Sequence, residues 1–358
     1  MSSLAADRAR LAEINPQILD LERALRELQS EKQVLCARLD SYKYPVFTLP
    51  NEIIIEIFIH FLPTYPYCPK LTGRFSESPV LLTRICRKWR EIALETPVLW
   101  RAIAISRSYP RVPSERQIQL CNMWLNRSGC YPLSLDFSDN AIDPLHPSEL
   151  LSAVVVPRCA RWEHLDLQLS LTHLRTIHGP IPLLRSLCLE ADEAEYDVAT
   201  KIDLFRNAPL LRTATLNDIA AARLILPWAQ LISLTLYGVY PRECVPILQH
   251  TSNLVDCHLH LVKNDTDGIP DVTLPSLQSL ALRGEWVTGY LETLIVPALH
   301  HLHIPEPSLE PHCIDTLASF ISKAGCKLQN LCLTYSQSKT DDAYRQAFPS
   351  IMVYFVDG

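Results

Sequence analysis

The sequence predicts an α/β chain, with helices in the N-terminal part and then a solenoid whose short parallel strands line a concave face. Three observations predict it. Apolar residues recur at heptad spacing up to about residue 41, and at the spacing of two short amphipathic helices between residues 51 and 95. Beyond residue 160 a Leu-x-x-Leu-x-Leu phrase returns at intervals of 20 to 29 residues. The boundaries expected from these changes of pattern are 1–44, 45–105 and 106–358, within a chain of 358 residues.

In the first segment Leu4, Leu11, Ile18, Leu25 and Leu39 occupy heptad position a, Lys32 fills the remaining place, and Ile14, Leu21, Leu28 and Leu35 fall at d. Asn15 and Pro16 read as an N-cap and a first-turn proline, so the helix is expected from about 16 to 41. An apolar seam of this length suits weak self-association through 16–41 or an amphipathic helix folded onto its own protein. Lys32 weakens the seam in either case.

In the second segment Ile53, Ile54, Ile57, Phe58, Phe61 and Leu62 form one helical stripe, begun by Pro50 and stopped by Pro63. Leu82, Ile85, Trp89, Ile92 and Ala93 form another, ended by Thr96 and Pro97. The order Leu49, Pro50, Glu52, Ile53, Ile57, Phe58, then Cys86, Trp89, Arg90, then Leu99 and Trp100 resembles the F-box, in the form expanded in mushroom-forming fungi. The loop from Thr64 to Glu77 is longer than the family's usual connection. The resemblance implies docking on the Skp-type adaptor of a Skp/cullin/F-box ubiquitin ligase, and through it a cullin. By position in the motif the contacts would be Leu49, Pro50, Ile53, Ile57, Phe58, Leu82, Ile85 and Trp89.

The repeated phrase begins at Trp162, Leu184, Leu211, Leu231, Leu254, Leu277, Leu299 and Leu328. Its last two apolar positions alternate at period two, as in Leu234 and Leu236 or Leu280 and Leu282, which is the pattern of a strand with one buried face. The intervals fall in the range of leucine-rich repeats. The phrase lacks their usual Asn or Cys, so the array resembles the irregular leucine-rich-like repeats found behind F-boxes. Val198–Phe205, Pro246–His250 and Cys313–Ser322 read as short return helices. The polar positions between the buried leucines are expected to share one face, with Tyr237, His258, His260 and Arg283 as leading contacts for a client protein.

Composition narrows the function classes. Only nine glycines accompany 27 prolines, and the chain contains no nucleotide-binding glycine loop; Gly284 and Gly289 lack the Lys and hydroxyl such a loop needs. The net charge is −6, and the acidic surplus lies beyond residue 105. Arg84, Arg87, Lys88 and Arg90 spread around a helix instead of forming a stripe, so no nucleic-acid partner is expected. The apolar run Ile53–Leu62 is broken by Glu56 and His60, and the first residues carry no apolar signal core. No membrane partner is therefore expected, and an intracellular location is. Twelve scattered cysteines without a CxxC pair read as reduced thiols. The pairs His258/His260 and His301/His303 lie on strands too far apart to share a metal, so neither metal nor cofactor is expected.

The sequence thus points to a non-catalytic substrate receptor without catalytic residues. An adaptor-bound scaffold working outside ubiquitination and a Cys/His nucleophile enzyme are the alternatives.

Overall fold

The computed structural model describes residues 2–41, 48–71, 77–106, 115–138, 149–192, 201–262, 268–284, 287–334 and 341–356. The chain divides into two compact units, 1–57 and 58–358.

In the first unit, α1 (Ser2–Ser41) is one continuous helix. It runs through Pro16, where a start was expected. The residues before Pro16 are strong helix formers, and the carbonyl that proline leaves unbonded sits on an exposed helix where water satisfies it. Leu4, Leu11, Ile18, Leu21, Leu25, Leu28, Leu35 and Leu39 are all exposed. The second helix, α2 (Asn51–Phe61), begins in this unit, with the Ile54 N–H donating to the Pro50 carbonyl at 3.2 Å.

In the second unit, α3 (Pro79–Leu82) and α4 (Arg87–Glu95) are followed by a 3₁₀ turn at Pro97–Trp100. The particular residues of this stretch have local reasons. Cys86 caps α4, its Sγ accepting the Trp89 N–H at 3.4 Å. Thr96 closes the helix by donating to the Ile92 carbonyl at 2.6 Å. The Trp100 indole donates to the Ala93 carbonyl at 2.7 Å and meets Trp124 edge-on at 5.1 Å, under the Arg127 guanidinium. Phe58 packs edge-on against Trp89 at 5.0 Å.

Eleven of the described strands form one parallel sheet. They are β1 (Ala102–Ser106), β2 (Leu133–Ser138), β3 (Trp162–Ser170), β4 (Ser186–Asp192), β5 (Thr213–Asn217), β6 (Ser233–Val239), β7 (Asp256–Leu261), β9 (Ser279–Arg283), β11 (His301–Pro305), β12 (Asn330–Thr334) and β13 (Met352–Val356). They lie side by side in chain order. A separate pair, β8 (Val272–Thr273) and β10 (Leu294–Ile295), is also parallel. Every recurrence of the leucine phrase ends on a strand of the large sheet, from β3 to β12. Three strands lie outside the phrase: β1, β2 and β13. β1 also crosses the boundary expected at residue 105.

The leucine rows are in register. Leu165, Leu187, Ala214, Leu234, Cys257, Leu280, Leu302 and Leu331 are neighbours across the sheet, and all are buried. Each such leucine contributes about 1.5–3 kcal/mol by leaving water. The turns ahead of the strands repeat one backbone device. A single carbonyl accepts two successive N–H groups from the next turn: Arg212 from Ile232 and Ser233, Ile232 from Val255 and Asp256, Val255 from Gln278 and Ser279, Gln278 from His300 and His301. These backbone pairs satisfy groups that would otherwise need side-chain partners in the turns.

The remaining helices are α5 (Glu115–Arg127), α6 (Leu171–Leu174), α7 (Asp218–Arg223), α8 (Pro241–Gln249), α9 (Thr288–Leu291), α10 (Cys313–Ala324) and α11 (Asp341–Ala347). Of the expected return helices, Cys313–Ser322 corresponds to α10. The helix expected at Pro246 starts earlier, because Pro241 takes the first-turn place and the Glu243 carboxylate accepts the Tyr240 N–H at 3.4 Å. In the expected helix at Val198–Phe205, residues 198–200 lie outside the described residues. The rest forms turns around an isolated bridge at Ile202.

The first part of the long loop, up to Leu71, is structural. Ala104 of β1 donates to the Pro69 carbonyl at 2.9 Å and accepts from the Leu71 N–H at 3.3 Å, so the loop pairs with the open edge of β1. Tyr65 donates to Glu163 at 2.7 Å, stacks under the Arg101 guanidinium and meets His164 edge-on. Burial and the Glu163 carboxylate push its phenol well above the ordinary range.

Candidate functional site

The residues expected to meet an adaptor separate into two groups. On α2, Ile53 and Ile57 are 48% and 42% exposed, and Pro50 ahead of it is exposed as well. Ile54 and Phe58, one position further round the helix, are buried. The single stripe read from the sequence is thus two faces. Phe58 and Leu82, expected as contacts, are buried: Phe58 packs edge-on against Trp89, and Leu82 is 2% exposed at the end of α3. Trp89 is half-buried against Phe58, and Leu49 is half-buried. Ile85 follows α3 and is 54% exposed, with Leu81 also exposed.

The four residues expected to meet a client come together. Tyr237 on β6, His260 on β7 and Arg283 on β9 occupy consecutive places of one cross-sheet row. His258 lies in the row before, opposite Thr235 and Ala281. All four are exposed, and Tyr237 meets His260 edge-on at 6.5 Å. The same row as His258 continues to His303 on β11. Sequence reading placed His303 on this face but not among the contacts; its register opposite Ala281, which only pairing reveals, brings it to them. Burial, with Arg283 and His258 adding to it, lowers the His303 pKa.

Charge is graded along the sheet. Asp136 on β2 and Asp166 on β3 are register partners in the same middle row, and Glu190 on β4 stands beyond them next to Gln168. Burial and then Asp166 raise the Asp136 pKa, with Lys70 opposing. Further along the sheet, on β7, β9 and β11, stand His258, His260, Arg283 and His303. Asp166 and His258 are four strands apart, about 19 Å at the usual spacing. A face of mixed character with Tyr237 half-exposed suits a protein surface better than a small ligand.

Nucleophilic cysteine chemistry is poorly supported both at Cys188 on β4 and at Cys244 on α8. Burial and the adjacent Asp166 carboxylate push Cys188 up to about 12, and burial with Glu243 pushes Cys244 up to about 12. Both remain thiols at neutral pH, whereas a nucleophilic cysteine needs the opposite shift. Iodoacetamide at pH 7.5 is therefore expected to modify the exposed Cys36 and Cys130 and to spare Cys121, Cys244 and Cys257 until the chain unfolds. Peptide mass mapping reads this directly; rapid labelling of Cys188 or Cys244 would contradict the shifts.

The imidazole pairs of β7 and β11 are separated by β9, and the His301 ring bonds Asn330 at 2.9 Å. Among the described residues there is no group of three or more His, Cys, Asp or Glu side chains able to hold a metal. No helix among them is long and apolar enough to cross a membrane. No protein-family model matches the chain, and no curated protein matches it.

Proposed function

We propose that the chain is a substrate receptor of a Skp/cullin/F-box ubiquitin ligase. Residues 45–105 serve as an F-box, and the strands beyond serve as a leucine-rich-repeat-like array that presents its polar face to a client. The observation that carries this reading is the division of labour within the motif. Phe58, Cys86, Trp89, Leu99 and Trp100 are spent on the local fold, while Ile53, Ile57 and Ile85 stay exposed although apolar. Exposed branched side chains, on α2 at Ile53 and Ile57 and in the turn after α3 at Ile85, are what a docking surface requires. The receptor then contributes proximity, holding a client lysine near a ubiquitin-bearing partner, and supplies no acid, base or nucleophile.

The test is co-expression of the full chain with a Skp-type adaptor, followed by addition of a cullin. A stable ternary assembly supports the receptor reading; adaptor binding without cullin recruitment supports the scaffold alternative. Failure to bind the adaptor removes both.

We also propose that α1 self-associates, because its heptad leucines are exposed along the length of the helix. The full chain is expected to sediment as a dimer and a chain lacking residues 1–44 as a monomer. Equal mass per particle for the two would refute this role. Leu21→Asp with Leu28→Asp is expected to have the same effect as the deletion, by placing charge in the seam.

A further inference from the structure

Cys86, Trp89 and Trp100 serve the local fold, but Arg90 does not. Its side chain is exposed and makes no ion pair or hydrogen bond among the described residues. It lines a groove of about 840 Å³ bounded by α3, α4, the 3₁₀ turn at Trp100 and α5. Arg84, in the turn after α3, and Arg127, in the last turn of α5, line the same groove and likewise make no ion pair or hydrogen bond through their side chains among the described residues. None of the described residues lining the groove is acidic. Arg87, which does not line it, is paired with Glu91 at 3.0 Å. The basic residues that spread around a helix in the sequence are thus sorted by the fold, and Arg127 joins two of them from a distant part of the chain.

The groove also has an apolar side. Leu81 and Met123, both lining it, are 41% and 46% exposed. The Arg127 guanidinium lies over the Trp100 ring, 4.8 Å from its centre. Stacking of this kind fixes the guanidinium plane and leaves the N–H groups at its edge free to donate.

We propose that this groove docks an amphipathic acidic segment of a partner protein, with carboxylates on Arg84, Arg90 and Arg127 and apolar side chains against Leu81 and Met123. Three guanidiniums without a counter-charge repel one another, and each offers a fork that a carboxylate fills with two hydrogen bonds. A small polyanion would meet the arginines and leave Leu81 and Met123 wet. A segment with one charged and one apolar face meets both, as helices do in grooves between helices. Single-stranded nucleic acid needs exposed aromatic faces on which bases stack, and the two indoles of this groove, Trp100 and Trp124, are buried. Ile53, Ile57 and Ile85, which carry the receptor reading, do not line the groove, so the inference stands apart from that reading.

The test uses the purified full chain carrying Leu21→Asp and Leu28→Asp, so that the seam of α1 does not capture apolar peptides. Three synthetic peptides share one helical pattern, with Leu on one face and Glu, Gln or Lys on the other; a fourth keeps Glu and has Ser in place of Leu. Fluorescence anisotropy is expected to show the Glu/Leu peptide binding at least about tenfold tighter than each of the others. Arg84→Gln with Arg90→Gln should remove that margin and leave the melting temperature unchanged, since neither side chain has a partner to lose. Arg84→Glu with Arg90→Glu should reverse it in favour of the Lys/Leu peptide, which loss of folding does not do. Equal binding of the Glu/Leu and Gln/Leu peptides, or a margin indifferent to the arginine substitutions, would overturn the proposal. A Glu/Ser peptide binding as tightly as the Glu/Leu one would overturn it in favour of a small polyanion, and tighter binding of a single-stranded RNA would overturn it in favour of nucleic acid. Adaptor co-purification reports separately on the receptor reading.

Discussion

Replacing Ile53 and Ile57 together by Asp is expected to reduce adaptor affinity by at least a hundredfold and to leave the chain's melting temperature unchanged. Both side chains are close to half exposed, so the change leaves no cavity and buries no charge in the free chain. In a docked complex the same two positions would put two carboxylates into an apolar contact. Truncating a well-buried interface anchor costs about 2 kcal/mol or more, and a carboxylate there costs further desolvation, which together exceed a hundredfold. The informative comparison is Phe58→Ala. That side chain is fully buried against Trp89, so its loss should cost about 3–5 kcal/mol of stability and depress binding only through unfolding. Calorimetry of binding, with thermal melts of each variant, separates the two. Undiminished adaptor binding by a folded Ile53→Asp, Ile57→Asp chain would remove α2 from the interface.

Gly284→Ala is expected to destabilise the chain by at least about 3 kcal/mol, the largest effect of any single methyl group considered. Gly284 adopts a φ of +128°, and a Cβ built on it would lie 2.2 Å from the Leu261 carbonyl oxygen and 3.1 Å from the carbonyl carbon. The obstacle is backbone at the end of β7, held by the ladder to β6 and β9, and cannot turn aside as a side chain would. The Gly284 carbonyl in turn accepts the Ser308 hydroxyl at 2.6 Å. Gly325→Ala is the control: its φ is +64° but nothing lies within 4 Å, so it should cost only about 1 kcal/mol. Denaturant midpoints measure the difference, and equal midpoints would refute the close-approach argument.

The resemblance in residues 45–105 carried names for positions without saying which way each side chain points. A helical period groups Ile53, Ile54, Ile57 and Phe58 because they lie within one broad arc. It is silent on where that arc divides between the chain's own core and the surface. Ile54 and Phe58 are buried and Ile53 and Ile57 exposed, a division that the helical period does not report. Cys86 and Trp100 looked like motif letters; they prove to be a helix cap and a buried indole donor.

What the sequence determined by itself is the local and periodic part of this protein. The heptad of α1, the alternation of Leu234 and Leu236 and its counterparts from β3 to β12, and the common face of Tyr237, His258, His260 and Arg283 all follow from repeat length and period two. Tertiary structure alone decided the rest. β1, β2 and β13 stand outside the leucine phrase and become strands of this sheet through pairing with neighbours; β1 is buried at four successive residues from Ala102 to Ile105, and β13 is apolar throughout, so neither shows the alternation of the leucine strands. The tie from Tyr65 to Glu163 joins residues 98 positions apart. The row of His258, Ala281 and His303 depends on register across β7, β9 and β11, because a one-residue slip would turn His258 and His303 to the opposite face.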